Sequence, residues 1–160
     1  MNMPNLLQVG LFLHIIGLAT IAGVTLASYI ISRKFRVLYI QDKQKGFAIM
    51  QAISKLPGVA GIGLLLLILS GVAMMAATGG VFGRQLWFRM KMVFVILIIA
   101  GIIFLNRRLE KRLRKWVLED ITHGNRTMQI GSLAGKITYV QLFLLALFII
   151  IFILSVFRFN

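Results

Sequence analysis

Four apolar stretches, 20 to 26 residues long, divide this 160-residue chain at 6–31, 57–77, 86–105 and 135–157. A hydrocarbon core about 30 Å thick needs roughly 20 helical residues, so each stretch is long enough to cross a bilayer. The stretches are too long for the strands of a membrane barrel, which have about 10 residues. We therefore predict an all-α integral membrane protein with one domain over 1–160. Its short connections predict an up-down four-helix bundle.

The positive charge is concentrated in two of the connections. Of 18 Lys and Arg residues, six lie in 32–56 and eight in 106–136. Because Lys and Arg accumulate on the cytoplasmic side of membrane proteins, we expect both termini and the 78–85 connection outside. The expected location is the inner (plasma) membrane of a bacterium, crossed several times. The net charge of +14 then faces anionic lipid headgroups, and nucleic acid is not an expected partner.

The third apolar stretch is predicted to continue as a helix beyond the membrane. The basic segment 106–118 has no Gly or Pro, and Leu109, Leu113 and Trp116 share one helical face. It either lies on an anionic membrane surface or is a solvated helix end. A second amphipathic helix is expected near 47–54, and 119–125 resembles a turn. The absence of Cys excludes disulfides and thiol chemistry.

His14 is the first candidate for chemistry. It lies about eight residues into the first stretch, or roughly 12 Å along a helix axis, where an ionisable group is costly and faces protein or a cavity. Small and polar residues share its helical face: Gly10, Gly17, Thr25 and Ser28. A neutral imidazole is a common iron ligand in haem proteins, so His14 is a candidate metal ligand. The alternative is a hydrogen bond to a neighbouring helix.

Arg89 and Lys91 are the second candidates. Both lie near the outer end of the third stretch, at about the depth of His14. Two cations there would suit anionic carboxylates such as porphyrin propionates, or would extend to lipid headgroups instead. A sixth iron ligand would come from a methionine, a partner subunit or nothing, since His123 lies on the inner side. The outer-side methionines are Met74, Met75, Met90 and Met92.

Several short motifs resemble the HemJ-type protoporphyrinogen oxidases and the related CopD-like four-helix membrane proteins. They are LHIIG at 13–17, FAIM and ISKLPG within 47–58, LSGVAM at 69–74 and WFRMKM at 87–92. The resemblance implies a four-helix membrane fold, haem b as cofactor, His14 as the first-helix histidine and Lys91 in the family's lysine position. The third stretch has no His, so no catalytic residue is assigned.

Two functional hypotheses follow from these features. The first is a haem- or porphyrin-associated membrane redox protein, an oxidoreductase in which His14, Arg89 and Lys91 bind the cofactor. The second is a non-catalytic accessory or scaffold subunit of a larger membrane complex, because the apolar stretches contain so few polar groups. Expected partners are the lipid bilayer and either further copies of the chain or other subunits.

Overall fold

A computed structural model of the protein describes residues 3–81, 85–124 and 126–156. Within these ranges the structure is helical throughout, as expected for the all-α class. Four of the helices are long and apolar enough to cross a membrane, which indicates a multi-pass membrane protein. The helical elements are α1 (Met3–Gln41), α2 (Lys43–Ile53), α3 (Leu56–Ala77), α4 (Leu86–Ala100), a π-helical segment (Gly101–Asn106), α5 (Arg107–His123) and α6 (Thr127–Val156).

The third apolar stretch does continue past its apolar end. The elements α4, the π-helical segment and α5 follow one another without a break, so the helix extends well beyond 105. It ends at Gly124, whose φ of +77° is a left-handed conformation that suits glycine. The prediction of a turn over 119–125 was wrong for 119–123, which is the last turn of α5, while residue 125 lies outside the described residues.

The four long helices lie in a row in the order α3, α1, α6, α4. Helix α1 packs along α3 and α6, and α6 packs along α4 and α5. In the described part of the chain, α3 and α4 do not pack along each other. In the most apolar part of α6 and of α1, 33% and 22% of the residues are buried, compared with 11% in α3 and in α4. Helices α1 and α6 are therefore central. The last residue of the fourth predicted span, 157, lies outside the described residues.

Neighbouring helices in the row are antiparallel, and small residues allow α1 to approach α3 closely. A Cβ added at Gly10 would lie 2.9 Å from Met74 Cγ, whereas one added at Gly17 would lie 2.9 Å from the carbonyl oxygen of Gly63. The predicted face of α1 is therefore the packed one. Helix association in lipid depends on such close backbone contact, because apolar side chains gain little by leaving apolar tails.

The two basic segments form a packed end of the molecule, here called the basic end. Helix α2, helix α5, the C-terminal end of α1 and the N-terminal end of α6 enclose an apolar cluster there. Segment 106–118 was expected either to lie on an anionic membrane surface or to be a solvated helix end. Neither interpretation is complete, because Leu113 and Val117 face this cluster instead of lipid or solvent. The buried members of the cluster are Phe35, Tyr39, Met50, Ile53, Leu113, Val117, Ile130, Leu133, Ala134 and Ile137.

Candidate functional site

His14 contacts α3 through a side-chain hydrogen bond. Its Nδ1 lies 3.0 Å from Ser70 Oγ, and Ser70 is 3% exposed. The imidazole itself is half-buried. The contact exists because the small-residue face of α1 packs on α3, which brings position 14 level with position 70.

The hydrogen bonding of Ser70 favours one tautomer of His14. The hydroxyl of Ser70 has a single hydrogen, and its shortest contact is to the Leu66 carbonyl oxygen at 2.6 Å, compared with 3.1 Å to the Leu67 carbonyl oxygen and 3.0 Å to His14 Nδ1. A Ser70 hydroxyl that donates to Leu66 accepts a hydrogen bond from His14 Nδ1–H. The neutral ring then carries its lone pair on Nε2, the atom that commonly binds metals. A histidine ligand whose other nitrogen is held by a hydrogen bond is the usual arrangement at metal sites.

The imidazole lies at the contact between α1 and α3. Gly71 of α3 leaves room beside it, since a Cβ added there would lie 3.8 Å from His14 Cε1. Lys91 of α4 is half-buried. The pairing of His14 with a cation of the third stretch stays a prediction.

Arg89 is on a different side of α4. Two residues along a helix correspond to about 200°, so Arg89 and Lys91 point in nearly opposite directions. Arg89 is exposed and has an interaction within the protein.

The outer-side methionines and His123 differ in burial and in how far along the molecule they lie from His14. Met74 is half-buried against Gly10, one helical turn from the level of His14. Met75, Met90 and Met92 are each at least 40% exposed. His123 ends α5 at the basic end, far along the molecule from His14. Met74 is therefore the methionine nearest to the His14 level.

His14 offers one nitrogen that could ligate a metal. Among the described residues, no group of three or more His, Cys, Asp or Glu residues gathers as a metal site, so a bare ion has no polydentate site here. A haem brings four ring nitrogens and needs one or two axial ligands. An apolar groove of ≈240 Å³ between α1 and α3 reaches Ser70, although it is smaller than the roughly 300–1,000 Å³ of most small-molecule sites. Neither His14 nor Lys91 is among the residues that line this groove.

Sequence reasoning missed a polar junction at the basic end. Asp120 is 1% exposed, and its carboxylate accepts a hydrogen bond from Tyr39 Oη at 2.9 Å and from Thr127 Oγ1 at 3.2 Å. Lys43 Nζ pairs with it at 2.9 Å, and the backbone N–H of Arg126 donates to its other oxygen. The sequence signal that could have revealed this junction is the position of Asp120. It follows Leu113 and Val117 at helical spacing, so an acid stands where α5 continues its apolar face.

Asp42 caps the start of α2 beside this junction. Its carboxylate accepts from the backbone N–H groups of Gln44 at 2.9 Å and Lys45 at 3.2 Å. These bonds, with that to Lys45 foremost, hold the pKa of Asp42 below its ordinary value. The sharp change of direction between α1 and α2 is thus stabilised by one side chain, as expected of an aspartate N-cap.

Comparison with known proteins adds no further assignment to this site. The chain matches no protein-family model, no curated protein and no solved structure.

Proposed function

We propose that this chain is a haem- or porphyrin-associated redox protein of the membrane, with His14 as axial ligand. The observation that carries the proposal is the orientation of the imidazole. Nδ1 lies 3.0 Å from Ser70 Oγ, whose shortest contact is to the Leu66 carbonyl oxygen, and this favours a lone pair on Nε2.

Each residue has a separate part in this proposal. His14 holds the iron, Ser70 orients His14, and Lys91 neutralises a propionate by a charge-assisted hydrogen bond. Arg89 lies on the other side of α4. It would bind the second propionate only if its long side chain extended around the helix. When bound, the haem would supply one-electron chemistry. The protein would exclude water from it with the apolar side chains of α1, α3 and α4.

The orientation in the membrane belongs to the same proposal. The basic end lies inside, both termini lie outside, and the His14 site is near the outer surface. Haem b is the proposed cofactor, and the inner membrane of a bacterium is the proposed location. Any reaction would be an oxidation of the protoporphyrinogen oxidase type, as the family likeness implies.

A haem titration tests the proposal. Purified protein in detergent is mixed with haem, and the Soret band is followed for the unchanged chain, His14→Ala and His123→Ala. We expect a saturable Soret band in the unchanged chain and in His123→Ala, and its loss in His14→Ala. If the unchanged chain gains no Soret band on reconstitution, the proposal is wrong.

A second candidate is an accessory or scaffold subunit, favoured by the faces that α3 and α4 leave uncovered. Ile62 and Val72 on α3 are 63% and 64% exposed, and Ile96 on α4 is 61% exposed. Such faces suit other subunits as well as lipid. This candidate predicts co-purification with other membrane proteins in mild detergent. A monodisperse, unaccompanied and fully functional chain would count against it.

A further inference from the structure

The basic end contains a cavity that none of the features discussed above uses. It has a volume of ≈330 Å³ and is bounded by α1, α2, the start of α3, α5 and α6. Phe35, Met50 and Ile53, all members of the basic-end cluster, form part of its wall. The volume is within the range typical of small-molecule sites. Its inner surface is mainly apolar.

One face of α5 brings positive charge to the cavity. Arg107, Lys111 and Arg114 line it and are four and three residues apart, the spacing of neighbours on a helix surface. Glu110 is the carboxylate among the lining residues, so three cations and one anion give a net charge of +2. Glu110 is already engaged, since Asn106 Nδ2 donates to it at 2.9 Å and the charge of Arg107 acts on it.

The cations at the cavity differ from the other cations of α5. Arg108 and Arg112 lie over the rings of Phe104 and Trp116, and Lys115 is 3.9 Å from Glu119. Lys111 and Arg114 form no ion pair with any residue that the structure describes. Lys111 and Arg114, which are left without an ion-pair partner among the described residues, therefore direct their charge to the cavity.

The cavity lies at the boundary between apolar and charged parts of the chain. Ser32, Pro57 and Ala134 line it, and each stands next to the end of an apolar stretch. The cations belong to the segment that follows the third stretch. An occupant at this level meets hydrocarbon on one side and water on the other. It should have an apolar part and an anionic head.

We propose that this cavity binds an anionic phospholipid, with its phosphate between Lys111 and Arg114 and its apolar part against Phe35, Met50 and Ile53. Arginine binds phosphate through two parallel N–H donors, and lysine adds a point charge. A zwitterionic lipid would bring a cation of its own into a region that is already positive. The inference is independent of haem binding, because His14 and the cavity are at opposite ends of the molecule.

Native mass spectrometry of the full chain tests the proposal. The protein in detergent is titrated with phosphatidylglycerol, with phosphatidylcholine of the same acyl chains, and with inorganic phosphate. We expect phosphatidylglycerol to bind at one site at least tenfold more tightly than phosphatidylcholine. Inorganic phosphate at millimolar concentration should not displace it, because it cannot use the apolar wall.

Two pairs of variants locate the lipid. Lys111→Gln with Arg114→Gln removes the charge at the cavity, and Arg108→Gln with Lys115→Gln removes equal charge elsewhere on α5. We expect about a tenfold loss of phosphatidylglycerol affinity in the first pair and less than a twofold change in the second.

A change of volume provides an independent test. Gly58 lines the cavity and has nothing within 4 Å of an added Cβ, so Gly58→Leu should fill space without displacing a neighbour. Gly61 has an equally open Cβ position but does not line the cavity, so Gly61→Leu is the control. We expect weaker lipid binding in Gly58→Leu alone. Equal binding of the two lipids, equal losses in both charge pairs, unchanged binding in Gly58→Leu, or displacement by phosphate would overturn the proposal.

Discussion

At the scale of single residues, the hydroxyl of Ser70 favours one nitrogen of His14 as the available one. Ser70 Oγ lies 2.6 Å from the Leu66 carbonyl oxygen of its own helix and 3.0 Å from His14 Nδ1, so a hydroxyl that donates to Leu66 accepts from His14. The same hydroxyl thus satisfies a helix carbonyl and orients a ring on another helix. The lone pair of Nε2 is what makes His14 a candidate ligand instead of a structural link only.

Replacing Ser70 tests this orientation. In Ser70→Ala the imidazole loses its favoured tautomer, so we expect haem affinity to fall about tenfold, the lower end of the effect of such supporting hydrogen bonds. The measurement is the Soret titration described above. Ser54→Ala, which removes an exposed hydroxyl at the basic end, should leave the affinity unchanged. Equal affinity in Ser70→Ala and the unchanged chain would contradict the role of Ser70.

The sequence predicted part of this site. Helical periodicity identified the packed face of α1, whereas the pairing of Lys91 with His14 stays a prediction. It did not identify Ser70 as the partner, because the register of α3 against α1 depends on contacts such as Gly17 with Gly63. Sequence reasoning also did not distinguish Arg89 from Lys91. The two residues lie on different sides of α4, and α4 presents one face to the row of helices.

At the scale of elements, the contact between α1 and α3 depends on glycine. A Cβ added at Gly17 would lie 2.9 Å from the Gly63 carbonyl oxygen and 3.0 Å from the Leu67 nitrogen, both of which are backbone atoms. Gly17→Ala must push the helices apart, and overpacking of this kind costs about 1–3 kcal/mol. We expect a loss of that size in the free energy of unfolding, measured by denaturant titration in detergent.

Gly61→Ala is the matched control for this substitution. Gly61 is also a helical glycine, but nothing lies within 4 Å of an added Cβ. Alanine has the higher helix propensity by up to about 1 kcal/mol, so the variant should be neutral or slightly more stable. Equal destabilisation by the two substitutions would mean that the α1–α3 contact is not as close as described.

The basic end depends on Asp120 in a similar way. Asp120 joins α5 to α1 through Tyr39, to α2 through Lys43 and to α6 through Thr127. Asp120→Ala leaves a partly buried lysine and a buried tyrosine hydroxyl without their acceptor. Because breaking a buried ion pair from one side costs about 3–5 kcal/mol, we expect a loss near 3 kcal/mol in the same titration.

Glu119→Ala serves as the comparison for Asp120→Ala. Glu119 pairs with Arg126 at 2.8 Å, but its side chain is 35% exposed. A partly solvated pair contributes about 1 kcal/mol or less. A smaller loss in Asp120→Ala than in Glu119→Ala would show that the junction is not buried as described.

Sequence reasoning at this scale identified the helices but not what covers them. The absence of Gly and Pro in 106–118 correctly predicted that the third helix continues. Whether Leu113 and Val117 would face lipid, water or protein could not be read from their spacing. Their partners, Ile130 and Phe35, come from segments that are distant in sequence.

At the scale of the whole molecule, charge defines the two ends and the helices form a row. Neighbouring helices in the row are antiparallel, and the up-down crossing of a membrane stays a prediction. A closed bundle would bring α3 against α4, whereas the described residues leave them apart with α1 and α6 in the centre. Amphipathic patterns do not distinguish these arrangements, because apolar side chains suit both lipid and helix neighbours.

The proposed orientation can be tested because the chain contains no cysteine. We expect Val81→Cys, at the end that carries the α3–α4 connection, to react with a membrane-impermeant maleimide in intact cells. Gln129→Cys, exposed at the basic end, should react only after the cells are opened. The reverse pattern would place the basic end outside.

The central claim is that the Nε2 of His14 binds the iron of a haem. The most direct test is the absorption spectrum of His14→Ala mixed with haem, recorded with and without added imidazole, beside the unchanged chain. We predict a Soret band in the unchanged chain, its loss in His14→Ala, and its return when imidazole occupies the space of the missing ring. A Soret band in His14→Ala identical to that of the unchanged chain, or none in either, would contradict the claim.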